Sequence, residues 1–312
     1  MGRAIVFTTR KRARHVGKRL GGAVCAEGGR MVQEIALRVR SAGFATVKGT
    51  AHAPRPGIRF DAAGPVGDRR YCVVDPERGA VLKTVQTPQL LRVAARECAA
   101  GLALDIPGTG IVVAPVGMGR ALDVDYWGRR VRARLGTGPH AEALSDFLGR
   151  RVALARVPRG GAVYGDPTSI VTTGSLRALG EATGHPDLLT EFVRFRPTLL
   201  VESDEPFGED AWAGAEVRVE RVPAGASGAK GDGERTQPGA GEGGMEGLRL
   251  RVGDPIPRCA VIDLDPVTGE RGGGLLRALA AMRPRNERGE PLFGAYARVV
   301  RPTAETPGTL GQ

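Results

Sequence analysis

The sequence predicts a mainly β protein with a few helices, an α+β chain whose strands close into antiparallel barrel-like domains. Three observations carry that expectation. From Met31 onward, short β-prone runs follow one another at short intervals, bounded by Gly, Pro and Asp turns. Many short strands in series suit an antiparallel barrel or sandwich better than a parallel α/β sheet. Helical periodicity is limited to a few segments beyond residue 140.

In order, Glu34–Arg40, Phe44–Lys48, Gly57–Phe60, Arg70–Asp75 and Ala80–Thr84 read as strands, and Leu90–Cys98 reads as either strand or short helix. Gly110–Val116 and Val131–Leu135 continue the strand series. Ala141–Phe147 follows a Gly-Pro pair and spaces its apolar residues as a helix does. Thr173–Leu179 and Asp187–Phe192 are further short helices, and Gly274–Met282 (GLLRALAAM) is the clearest helix. Thr198–Glu202, Glu216–Val222, Leu248–Val252, Cys259–Leu264 and Ala295–Val300 return to strand. Ala224–Gly247 is rich in Gly and small polar residues with almost no apolar anchor, so it reads as a disordered loop.

Composition narrows the function classes. No apolar run reaches the roughly 18 residues of a membrane span; in the nearest candidate, Leu90–Pro115, Arg92, Arg96, Glu97 and Asp105 interrupt it. The expectation is a soluble protein without a membrane partner. The net charge of +11 invites a nucleic-acid reading, but residues 1–30 carry eight Lys or Arg against one Glu, which is +7 of that total. Arg supplies 40 of the 45 basic residues and Asn occurs once, the bias of a GC-rich genome. Aromatic residues are 4% of the chain, too few for an evident base-stacking platform, so no nucleic-acid partner is expected. Residues 1–30 read as a basic extension outside the fold, either a start codon placed too early with Met31 as the true start, or an organelle transit segment. Cys25, Cys72, Cys98 and Cys259 form no C-x-x-C pair and the histidines are scattered, which removes zinc-ribbon, local iron–sulfur and H-E-x-x-H readings. A cytoplasmic location is the default for such cysteine usage. Asp204, Glu205, Glu209 and Asp210 make a carboxylate cluster that reads as a solvated turn rather than a metal cage.

Several separated blocks occur in an order that resembles the MOSC family, the molybdenum-cofactor sulfurase C-terminal domain proteins. They are TVKGT (Thr46–Thr50), VGDRRYCVVD (Val66–Asp75), TTGSLRAL (Thr172–Leu179), RFRPTLLV (Arg194–Val201), FGEDAWAG (Phe207–Gly214), PIPRCAVIDLDPVTG (Pro255–Gly269) and PLFGAYARVV (Pro291–Val300). The resemblance covers about residues 31–312. It implies a MOSC N-terminal β-barrel-like domain at 31–136, packed on a MOSC β-barrel domain at 137–312 that carries the loop at 224–247.

The resemblance further implies a molybdenum cofactor (molybdopterin), with Cys259 as catalytic residue and metal ligand. Lys48, Gly49, Arg69, Asp166, Arg196, Thr198 and Arg258 are the implied cofactor-binding residues. The chemistry is coherent with that: Arg forks bind phosphate bidentately, a neighbouring cation such as Arg258 favours the thiolate of Cys259, and thiolate is a soft ligand for a transition metal. Relatives similar to amidoxime-reducing proteins imply an oxidoreductase that reduces N-hydroxylated small molecules. No flavin, haem, iron–sulfur or dinucleotide fingerprint is present, so a separate ferredoxin- or flavodoxin-type partner is expected to supply electrons. The alternative is a cofactor-binding or persulfide-carrying protein without its own reductase activity. Two departures bear on substrate choice. Thr198 stands where those relatives carry Asn, and Tyr164-Gly165-Asp166-Pro167 replaces an Asp-Thr-Ser-Pro block. The chain also stops before the final Val-Gly-Asp strand of relatives and leaves no room for an appended ferredoxin domain.

Overall fold

A computed structural model describes residues 35–221, 245 and 247–301. The basic segment 1–30 and almost all of the loop at 224–247 lie outside the described residues. The described residues form two closed β systems within one compact unit, with three α-helices. In the first, the strands Leu199–Val201, Thr168–Thr172, Leu292–Arg301, Arg249–Pro257, Glu216–Arg221 and Ile35–Phe44 are neighbours in that order. The ring closes because Ile35–Phe44 pairs back on Leu199–Val201, with Ala42 opposite Leu199. Alternate residues of these strands, among them Leu37, Val39, Ile170, Val217, Leu250 and Ala297, fill its interior, as the period-2 geometry of a strand requires.

The second ring runs through Ala153–Arg156, Arg129–Thr137, Gly117–Tyr126, Ala80–Val81 and Tyr71–Asp75, closing where Ala155 pairs with Cys72. Val47–Lys48 lies parallel to Tyr71–Asp75, with Lys48 opposite Cys72. Ala94–Cys98, Gly101–Ile106 and Gly110–Ala114 form a separate three-stranded meander. Tyr126, Val74, Val124 and Ala155 make one apolar cluster of the second ring; Leu102, Leu104, Leu144 and Leu154 make another beneath the meander. Among the described residues, no helix is long and apolar enough to cross a membrane.

The helices sit where their apolar spacing and caps put them. Helix α1 (His140–Leu148) ends at the left-handed Gly149. Helix α2 (Thr173–Thr183) is capped by Thr172, whose hydroxyl accepts from the Ser175 N–H at 3.2 Å, and stops at the left-handed Gly184. Helix α3 (Leu275–Met282) buries Leu275 and Leu279 in the cluster that holds Phe195, Ile262 and Phe293.

Several expected elements differ. Cys259–Leu264 is not a strand: the strand ends at Pro257, Cys259 stays extended, and Ala260–Asp263 forms a 3-10 turn. Only Ile262 of that turn is buried, so the run of apolar residues satisfies a turn rather than a two-sided strand. Asp187–Phe192 divides into two short 3-10 turns, Pro186–Leu189 and Phe192–Phe195. Gly57–Phe60 contributes only the edge of the two-residue strand Phe60–Asp61. Leu90–Cys98 is both of its alternatives in series, a 3-10 turn Pro88–Arg92 and then the strand Ala94–Cys98. Gly101–Ile106, Gly117–Tyr126, Ala153–Arg156 and Thr168–Thr172 are strands not anticipated from the sequence.

Candidate functional site

A half-open cleft brings together residues that are distant in the chain. It is lined by Lys48, Arg69, Asp166, Arg196, Arg258 and Cys259, six of the residues singled out from sequence. Its walls also include Tyr164, noted from sequence as a departure from relatives, and Thr84, Tyr126, Ser169, Arg194 and Tyr296, which sequence reasoning did not single out. About 780 Å³ of empty space lies inside it, open solvent at its mouth included.

The cations are set by backbone geometry. Lys48 ends the short parallel strand on Tyr71–Asp75. Gly49 follows at φ 93°, and a Cβ there would meet Thr84 Oγ1 at 3.1 Å. Gly49 thus turns the chain behind Lys48 and is not itself in the cleft wall. Arg69 and Arg196 both occupy the left-handed region, at φ 44° and 53°, and Arg196 does so directly before Pro197, where that conformation is further disfavoured. Such strain costs about 1–3 kcal/mol per residue and gathers at functional sites. It aims two guanidiniums at one volume. Arg69 donates to Asp68 at 2.9 Å, and Arg196 donates through Nη2 to the Thr50 carbonyl at 2.8 Å.

The electrostatics record an excess of positive charge. Burial, with Arg69 and Arg196 beside it, pulls the Lys48 ammonium down to about 7; Cys259 and Asp68 oppose the fall only in part. Burial and then Arg69 draw Arg196 down to about 10. Burial raises Asp68 above the ordinary carboxyl range despite its three cationic neighbours. A cluster whose cations are destabilised by one another is a site that gains on binding an anion.

Arg258 is buried. Nε donates to the Phe293 carbonyl and Nη1 to the Phe195 carbonyl, both at 2.8 Å, with the guanidinium 5.6 and 5.7 Å from the two Phe rings. Nη2 finds no partner among the described residues. Burial draws this guanidinium down to about 10, with Tyr296, Cys259 and Glu209 acting against the fall. Tyr126 is the matching case: its buried hydroxyl has no partner among the described residues, and burial pushes it up to about 12. Buried donors left unpaired in a protein call for a ligand or an ordered water.

Cys259 is free and exposed, on an extended residue between the strand Arg249–Pro257 and the turn Ala260–Asp263. Cys72 is buried under the second ring, and burial pushes its thiol up to about 12, the state of an inert core thiol. Asp166 lines the cleft, but its carboxylate is already paired with Arg298 Nε at 2.6 Å. Thr198 lies off the cleft wall. Its hydroxyl accepts from the Ser169 N–H at 3.1 Å while its own N–H donates to Ser169 Oγ at 2.9 Å, clamping two neighbouring strands. Among the described residues, no group of three or more His, Cys, Asp or Glu side chains could hold a metal by itself.

The carboxylate cluster at 204–210 is not one solvated turn. Glu209 is buried, and its Oε2 accepts from Thr172 and Ser175 hydroxyls at 2.7 Å each. Asp210 pairs with Arg283, and Asp204 with Arg177 at 3.3 Å. The cap of α2 captures Glu209, a tertiary contact that local composition could not reveal.

Residues 43–151 match the family model of the MOSC N-terminal beta barrel domain. The TVKGT and VGDRRYCVVD blocks fall inside the matched residues; the blocks after residue 151 fall outside them. A search of curated proteins finds no match. Among solved structures, the solution structure of a Bordetella bronchiseptica protein is similar at 17% identity over 35% of this chain and 92% of that chain, with a TM-score of 0.27.

Proposed function

We propose that this chain, whose residues 43–151 match the MOSC N-terminal beta barrel domain, is a MOSC-family protein and that its cleft holds a molybdenum cofactor. In this reading the protein is a cytoplasmic oxidoreductase. It reduces N-hydroxylated or related N-oxygenated small molecules with electrons from a separate redox protein of ferredoxin or flavodoxin type. The observation that carries the reading is the convergence of Lys48, Arg69, Arg196 and the buried Arg258 on the cleft that exposes Cys259.

The donors suit that group. A pterin phosphate is an anion, and Lys48, Arg69 and Arg196 form a cation cluster short of negative charge. The unmet donors Nη2 of Arg258 and the Tyr126 hydroxyl suit a polar ring system. Cys259 offers the protein one soft ligand, so a metal here would need its remaining ligands from an organic group. When bound, the cofactor supplies two-electron redox chemistry and oxygen-atom abstraction. The chain binds and orients it, and Lys48 Nζ, poised near 7, takes up a proton as the anion arrives. Asp166, neutralised by Arg298, lends shape rather than free charge.

The test is metal content. Protein made with its cofactor pathway intact is expected to hold close to one molybdenum per chain, and Cys259→Ser is expected to lose it while melting within about 0.5 kcal/mol of the parent, as exposed substitutions do. Stoichiometric molybdenum in folded Cys259→Ser sinks the ligand assignment. The exposure of Cys259 also favours a second reading, persulfide carriage without reductase activity. Sulfane sulfur on Cys259 of metal-free protein, seen by mass spectrometry, would select it.

A further inference from the structure

The hairpin Gly117–Tyr126/Arg129–Thr137 ends in a two-residue turn, Trp127–Gly128, with both residues left-handed at φ 55° and 81°. That turn favours Asn, Asp and Gly, and a bulky aromatic there is an outlier. Trp127 is 44% exposed at this turn. It meets Tyr164 edge-to-face, with ring centroids 5.9 Å apart and planes at 73°. Tyr164 is 48% exposed and lines the cleft that contains Cys259. The aromatic pair therefore extends the cleft wall outward onto the surface.

Cations surround the pair. Lys83 Nζ lies 4.5 Å from the centroid of the Trp127 ring, and Arg288 Nη1 donates to the Tyr164 hydroxyl at 3.3 Å. Arg129 is anchored on the Val163 carbonyl, and Arg130 is exposed beside it. The neighbouring carboxylates are engaged: Asp125 Oδ1 accepts from the Gly128 N–H at 3.0 Å, and Asp166 is paired with Arg298. Exposed Trp and Tyr side chains with Arg beside them have the composition of a protein interface. Its charge fits an acidic surface. The ammonium of Lys83 already covers one face of Trp127, which argues against a nucleobase stacking there.

We propose that Trp127 and Tyr164, with Lys83, Arg129 and Arg288, form the docking surface for an acidic electron-transfer protein, which delivers electrons to the cleft past Tyr164. The inference rests on the reductase reading above. For each N–O bond broken, two electrons arrive, one from each of two successive ferredoxin dockings, and two protons come from solvent: one takes the place of oxygen on nitrogen, and the other joins the hydroxyl, which leaves as water.

The experiment uses the full-length, cofactor-loaded protein and two electron sources: reduced methyl viologen, a small cation that needs no docking, and an acidic ferredoxin with its reductase. Trp127→Asn suits the left-handed turn and preserves the fold; Lys83→Glu and Arg288→Glu reverse charge. Each variant is expected to weaken ferredoxin binding to the cofactor-free protein, read by calorimetric titration, and to raise the KM for ferredoxin, each about tenfold; the two charge reversals also flatten the salt dependence, while the methyl viologen rate stays at the parent value. An unchanged ferredoxin KM in all three, with normal methyl viologen turnover, overturns the docking surface and leaves the reductase reading standing. Absence of parent turnover with methyl viologen overturns the reductase reading and the donor docking with it. A dimer of the parent that Trp127→Asn dissolves would assign the patch to a second copy and likewise overturn the proposal.

Discussion

Replacing Arg258 with Met separates its structural role from its role toward a ligand. Two opposing effects set the stability change. Met leaves the Phe293 and Phe195 carbonyls without their 2.8 Å donors, at about 1–3 kcal/mol for each buried group left unsatisfied. Against that, Met removes a buried guanidinium whose Nη2 has no partner among the described residues. Burial of an incompletely paired charge costs several kcal/mol, and hydrophobic replacement of buried ions is often neutral. Met also keeps contact with the two Phe rings that flank the site. The net is about 0–2 kcal/mol of destabilisation in cofactor-free protein, a fall in Tm of about 0–8 °C at roughly 2–4 °C per kcal/mol. Molybdenum retention, by contrast, is expected to fall more than tenfold, because the donor missing from the cleft is a charged one. The assays are calorimetry on cofactor-free protein and metal analysis on protein made with the cofactor pathway intact. A Tm loss well beyond 8 °C with full metal retention would refute the reasoning and make Arg258 a purely structural tie.

Anion binding should carry the pH signature of Lys48. Its pKa is lowered to about 7 in the free cleft, and a bound anion raises it, so binding takes up a proton above pH 7. Sulfate, which does not titrate in this range, is expected to bind most tightly below pH 7 and progressively less tightly above it, by at most about tenfold per pH unit. Isothermal titration of Lys48→Met should show weak binding without that slope, and a pH-independent parent would contradict the mechanism. At Gly165, an added Cβ would lie 2.4–2.8 Å from the Tyr296 ring. Gly165→Ala is therefore expected to cost about 1–3 kcal/mol by overpacking. Calorimetry of the double variant with Tyr296→Ala should recover part of that loss, and strict additivity of the two changes would refute the contact.

What could be read in the sequence divides along a physical line. Strand Tyr71–Asp75 and helix α3 were legible because each carries its own signal: a β-rich run closed by a turn, and an apolar helical stripe. Gly117–Tyr126 was not read as a strand: its first half meets solvent on both faces and shows no apolar alternation, and only Leu122, Val124 and Tyr126, alternating with Asp123 and Asp125, carry a strand signal. The cation cluster was legible for a different reason: Lys48, Arg69, Arg196 and Arg258 lie in motif blocks, and the structure places all four in one cleft with Cys259. Tyr126 was invisible and Glu209 was misread as solvated, because burial and orphaned polar atoms, not residue type, mark them. Trp127 shows the same limit from the other side. A Trp-Gly pair between strands gives no hint of function on its own, since Gly128 alone would satisfy half of the turn. Only the left-handed φ at Trp127, and the Tyr164 ring that it meets, show a residue kept where its own backbone preference opposes it. Residues legible from pattern thus belong to the cleft proposed to hold a ligand, whereas Trp127, legible only from conflict between side chain and backbone, belongs to the surface proposed to receive a partner.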